Sequence, residues 1–180
     1  MTHPAILDRD RAAVVVIDVQ EAFRKAIDGF DAMVDRSAIL ARGARELGLP
    51  IVATEQYPEG LGGTVPEMAD ALGATERLDK VVFSACRADG FDLGAADQVV
   101  VCGIEAHVCV SQTVHDLLDQ GVTVHVAVDA IASRNPADRE LALRKMERAG
   151  AVPTSVETAL LELVGRAGTD EFKTVQRLIA

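Results

Sequence analysis

The chain has 180 residues, 49% of them hydrophobic and 26% charged, with a formal net charge of −10 at pH 7. That length makes one domain with a sizeable core, so residues 1–180 are expected to form a single unit. So acidic a chain, with no stripe of Lys and Arg, 3% aromatic residues and no Trp, is not expected to bind nucleic acid or an anionic membrane.

No apolar run approaches the ~20 residues that span a bilayer. The opening MTHPAILDRDRAA lacks the basic start and long apolar segment of a signal peptide. Three cysteines, with no CxxC pair and no zinc-site spacing, fit reduced thiols in a cytoplasm.

In chain order, Ala12 to Val19 is a nearly continuous β-branched run, which predicts a strand covered on both faces. Met33 to Leu47 places Val34, Ile39, Leu40, Ala44 and Leu47 on one side of a helix, which Gly48 and Pro50 terminate. PIVATEQ predicts a second strand, KVVFSA from Lys80 a third, DQVVVCGI a fourth, VTVHVAVDA a fifth and the short AGAVPT a sixth. Helices are expected over Pro66 to Leu72, weakly over Gly90 to Ala96, and over Val108 to Gln120, Pro136 to Arg148, Ser155 to Val164 and Asp170 to Ile179. Asn135 is placed to cap the helix that Pro136 opens. Strands alternating with helices imply right-handed crossovers and a three-layer α/β/α fold on a parallel sheet.

Ligands of such sheets collect beyond the carboxyl ends of the strands. Asp18 ends the first strand, where two readings are open: a carboxylate capping the next segment, or a general base. A lone Asp also lacks the adjacent acid with which phospho-receiver domains hold magnesium. The loop after the second strand, TEQYPEGLGGTVPE, matches neither GxGxxG nor GxxxxGK[ST], so its glycines suggest a turning pocket rim around Glu55 and Tyr57. Lys80 leads into the expected third strand and reads as a solvated terminus unless its ammonium reaches Asp18 and Cys109.

Cys102 sits in a strand body and reads as a small apolar residue. Cys109 lies just past the fourth strand, at the first turn of the next helix. There unpaired amides and the helix dipole favour negative charge, so the position predicts a lowered thiol pKa and oxyanion donors. A structural cysteine is the competing reading, and Cys86 is the second candidate nucleophile. His107 is a candidate pocket residue and possible partner of the thiol, whereas His3 is terminal and His115 and His125 read as packing residues.

The stretches VVVIDVQEAF with Asp18, DKVVFSA with Lys80 and VVVCGIEAHVCVSQTVHDL with Cys109 resemble the isochorismatase-like cysteine hydrolase superfamily, from about Ala12 to beyond Val164. ATEQYPEGLGGTVPE, VHVAVDAIASR and ELVGRAGTDEFKTVQRLI are most similar to the isochorismatase domain-containing protein subgroup. The resemblance implies a six-stranded parallel sheet in the order 3-2-1-4-5-6 and an Asp18, Lys80, Cys109 triad. It also implies a cis peptide between Ile104 and Glu105, oxyanion donors at the amides of Glu105 and Cys109, and a homo-oligomer, dimer or larger. Nicotinamidases in the superfamily bind a metal through a D-x-H motif after the second strand; TEQYPEG has no histidine, so neither metal nor other cofactor is expected. True isochorismatases dispense with the cysteine, which this chain retains.

The expected activity is therefore hydrolysis of a small amide, carbamoyl or related acyl substrate through a thioester, with Phe23, Tyr57 and His107 as pocket residues. Two other readings stand beside it: a binding or scaffold protein that keeps the fold without turnover, and a redox protein in which Cys86 or Cys102 resolves a Cys109 sulfenate.

Overall fold

Ala12–Ile17 forms strand β1, and all of its side chains are buried. The computed structural model describes His3 and residues 5–180. The remaining strands are β2 (Ile51–Gln56), β3 (Arg77–Lys80), β4 (Gln98–Ile104), β5 (Thr123–Ala132) and β6 (Val152–Thr154). They make a six-stranded sheet in the order β3-β2-β1-β4-β5-β6, and every pairing is parallel. The helices are α1 (Phe30–Glu46), α2 (Pro58–Leu61), α3 (Pro66–Leu72), α4 (Ser111–Asp119), α5 (Pro136–Ala149), α6 (Val156–Val164) and α7 (Asp170–Ile179).

The period of two along a strand sends alternate side chains to opposite faces. Val14 and Val16 pack with apolar residues of α1, α3, α6 and α7, whereas Val15 and Ile17 pack with those of α4 and α5. Both faces of β1 are thus covered, which is why its sequence is apolar at every position. Asn135 caps α5 through Oδ1, which accepts from the Ala137 amide at 3.0 Å, with Pro136 next in the first turn. Ser155 and Thr169 cap α6 and α7 in the same manner. Among the described residues, no helix is long and apolar enough to cross a membrane.

The structure departs from the sequence reading at several elements, three of which bear on the sheet and its first helix. The third strand is the polar segment RLDK, and Lys80 ends it instead of opening it. β3 is an edge strand paired only with β2, so it needs no continuous apolar run. The apolar residues that suggested a strand leave the sheet, with Val81 77% exposed and Phe83 51% exposed. No helix forms over residues 90–96, where Gly90 and Gly94 both adopt left-handed backbone and Asp92 accepts a hydrogen bond from the Gly94 amide. α1 begins at Phe30, three residues before Met33, because buried Phe30 continues the stripe of Met33, Val34 and Ser37.

Gly103 adjusts β4 just before the site. Its φ is +114°, and a Cβ there would lie 2.0 Å from the Ile17 carbonyl oxygen of β1. The β4–β5 register shifts at the same place, between Val101 and Gly103. A Gly103→Ala substitution is expected to cost at least ~2 kcal/mol, since it combines backbone strain with a clash against rigid main chain. Urea unfolding midpoints of the two proteins check this.

Candidate active site

The chain leaves β1 through Asp18 with φ +54°, a left-handed conformation that Asp tolerates better than most residues. The Asp18 amide still donates to the Thr54 carbonyl of β2 at 3.1 Å. Its carboxylate accepts from the Thr54 hydroxyl at 2.7 Å through Oδ1 and from Lys80 Nζ at 2.7 Å through Oδ2. Register explains the meeting: Lys80 is the last residue of β3 and pairs with Gln56, the last of β2. Both side chains of the ion pair are buried, Lys80 at 0% and Asp18 at 2% exposure. The ammonium also donates to Gln56 Oε1 at 2.6 Å and to the carbonyls of Phe83 and Val82 at 3.0 and 3.3 Å. The exposed loop after β3 therefore folds back over its own lysine.

β4 delivers the thiol. The Ile104–Glu105 peptide is cis, and Ala106–Val110 then forms a single π turn before α4 begins at Ser111. The Glu105 carbonyl accepts from the amides of Val108 at 3.0 Å and Val110 at 3.2 Å. Such wide turns are rare and concentrate at functional sites. Thr113 braces this turn: its hydroxyl donates to the Cys109 carbonyl at 2.7 Å and accepts from the Ala85 amide at 2.8 Å. Cys109 Sγ lies 3.9 Å from Gln56 Oε1, the oxygen that also meets Lys80.

Asp18, Gln56 and Cys109 line one cavity of about 260 Å³, just below the usual ~300–1,000 Å³ of small-ligand sites. Its apolar wall comes from Phe23, Leu61, Phe83, Ile104 and Val108, and Glu105 and Arg134 complete it. Glu105 is buried and fixed by Arg134, whose Nε donates to Oε1 at 3.0 Å and whose amide donates to Oε2 at 2.9 Å.

Burial, and after it the Asp18 carboxylate, push the Cys109 thiol up to about 12, with Lys80 pulling the other way. This corrects the lowered value expected at a helix start: desolvation and a neighbouring negative charge outweigh the dipole. The resting thiol is protonated beside a formed ion pair. Burial likewise raises Cys86, to about 11. Labelling of Cys109 by iodoacetamide should then accelerate about tenfold per pH unit between pH 7 and 10, following the thiolate fraction. A rate already level at pH 7, read by peptide mass spectrometry, would show a thiolate stabilised at rest.

Residues 12–158 match the family described as Isochorismatase domain. The chain belongs to that family. Isochorismatase domain-containing protein 2 of Pongo abelii is 45% identical over 166 residues, covering 90% of this chain and 80% of that protein. Its human counterpart is 42% identical over 171 residues, covering 93% and 82%. A solved structure described as MAR1 ribonuclease from Caenorhabditis elegans superposes with a TM-score of 0.93 at 44% identity, covering 97% of this chain and 92% of that one.

Within this family fold, the residues singled out from sequence are distributed unequally. Asp18, Cys109 and Phe23 face the cavity, and Lys80 stands behind Asp18. Tyr57 does not line it. Half exposed, it lies with Pro58 and Val81 along a separate groove, because its left-handed backbone (φ +38°) directs the chain away into α2. His107 does not line it either; its Nδ1 is 3.0 Å from Ser133 Oγ and 4.0 Å from Glu105 Oε2. Glu55 is engaged in the rim itself, accepting from the Thr64 amide at 2.7 Å.

Gln56, Arg134 and the Glu105 side chain are the polar contributors that sequence reasoning missed. Gln56 ends β2, so the strand-end rule that selected Asp18 would have found it. Arg134, two residues past β5, had the same signal. Buried Gln20 holds Gln56 in place, accepting from its amide at 2.8 Å and donating to its carbonyl at 3.0 Å.

Proposed function

We propose that this protein is a cysteine hydrolase of small amides, carbamoyl compounds or related acyl substrates, working through a thioester on Cys109. The observation that carries the reading is the buried Asp18–Lys80 ion pair at the one small cavity that Cys109 also lines. A buried ion pair contributes little net stability compared with apolar side chains of the same volume. Chemistry therefore accounts for it better than folding does.

In this reading the thiol proton passes to Asp18 as sulfur adds to the substrate carbonyl carbon. Lys80 remains cationic and fixes the carboxylate. The tetrahedral oxyanion is held by the backbone amides of Glu105 and Cys109. Asp18 returns the proton to the departing amine, leaving a thioester. Water then attacks that thioester with Asp18 again accepting a proton, and the acid is released with the thiol restored. A thiol that ionises only during attack suits a general base in contact with the site better than a pre-formed thiolate would.

The test is a panel of short amides, ureides and carbamoyl compounds followed by ammonia or amine release, with intact-mass trapping of the acyl adduct. Turnover with an adduct on the Cys109 peptide is the expected result. Turnover without any adduct there would remove the thioester step. An RNA oligonucleotide belongs in the same panel, because the C. elegans relative is described as a ribonuclease. With a net charge of −10 and so small a cavity, no RNA cleavage is expected.

A further inference from the structure

We propose that the substrate is electrically neutral and carries a compact apolar group beside its scissile carbonyl, and that Glu105 sets this preference by neutralising Arg134. The inference rests on the hydrolase reading and narrows its substrate class.

Arg134 carries the only cationic side chain lining the cavity among the described residues. A free guanidinium there would recruit a carboxylate through paired charge-assisted hydrogen bonds. It is not free. Nε donates to both Glu105 oxygens, at 3.0 and 3.2 Å, and the Arg134 amide donates to Oε2 at 2.9 Å. Glu105 is 6% exposed and stays against Arg134, whose own side chain is 61% exposed, so the carboxylate is held on the cavity side while water reaches the outer edge of the guanidinium. The other nearby cation, Lys80, is fully buried against Asp18. Two carboxylates and one guanidinium line the space, the lysine behind them brings the sum to zero, and the thiol is neutral.

An anionic ligand would lose its hydration in this cavity and find each cation already compensated. It would also approach Asp18 and Glu105 within a chain whose overall charge is −10. A neutral ligand meets neither cost. The terminal nitrogens of Arg134 donate to no described residue, which leaves them for a carbonyl or other uncharged acceptor. Phe23, Leu61, Phe83, Ile104 and Val108 offer the remainder of the ligand an apolar wall, and the volume of about 260 Å³ limits its size.

Two amides of matched shape decide the matter: 4-methylpentanamide, and succinamate, in which a carboxylate replaces the isopropyl group. Binding is read by NMR titration on the Cys109→Ala protein, apart from turnover. The neutral amide is expected to bind at least about tenfold more tightly, because the anion faces like charges without a free counterion. Glu105→Gln in the same background keeps the shape and one acceptor oxygen but uncovers the guanidinium; it should move the ratio toward succinamate by about tenfold or more. Adding Arg134→Gln should restore the preference for the neutral amide.

Equal or tighter binding of succinamate by the parent, or binding of neither amide, overturns the proposal whatever the variants do. A ratio unmoved in a Glu105→Gln protein with native melting behaviour overturns the role of Glu105. A neutral preference in the Cys109→Ala protein, without turnover by the unmodified enzyme on either amide, upholds the selectivity and removes the hydrolase reading instead.

Discussion

Cys109→Ala will fold like the parent and lose turnover by at least ~10⁴-fold, the scale seen when a covalent nucleophile is removed. The loss follows from the proposed division of labour. Asp18 and Lys80 move and hold a proton, but neither can form the thioester. The structural cost is small: a buried sulfur gives way to a methyl group, which leaves room at a cavity already present, and ~1 kcal/mol is the expected penalty. Cys109→Ser should be nearly as inactive, because a hydroxyl is harder to deprotonate than a thiol and a carboxylate such as Asp18 is a weak base for that task. Initial rates and melting curves of the three proteins measure this. A Cys109→Ala protein retaining a tenth of the activity would end the covalent mechanism.

The second large effect concerns the ion pair. Lys80→Met leaves the Asp18 carboxylate buried without its cation, keeping the hydrogen bond from the Thr54 hydroxyl. Removing one member of a buried pair typically costs ~3–5 kcal/mol, because the other charge is stranded. Asp18→Asn in the Lys80→Met background removes that charge, so the double variant should regain most of the stability while remaining inactive. Urea unfolding of the two single variants and the double variant gives the coupling directly. Additive losses would mean that the two side chains do not depend on each other in the folded protein. Because the pair is shielded from solvent, added salt should change its contribution little.

The strand and helix alternation was legible because each strand of a doubly covered parallel sheet must be apolar on both faces. β1 meets that requirement at every position, and β4 does so from Val99 onward, after a buried Gln98. The same logic misplaced β3, since an edge strand is released from it and the nearby VVF turned out to be surface. Asp18 and Cys109 were found by their places beyond strand ends. Tyr57 and His107 were named on similar grounds and point elsewhere, because a left-handed residue and a π turn redirect side chains by angles that no spacing rule encodes.

By itself the sequence determined the layered α/β architecture, the sheet order through its family likeness, and the two strand ends that carry Asp18 and Cys109. These depend on local apolar patterning and motif order, which are written along the chain. Only the tertiary structure decided that Lys80 closes its strand onto Asp18, that Gln56 stands between ammonium and sulfur, that Arg134 is neutralised by Glu105, and that the thiol rests protonated. Those outcomes depend on which side chains from distant segments share a small volume and how much water they exclude, and electrostatic strength varies with both.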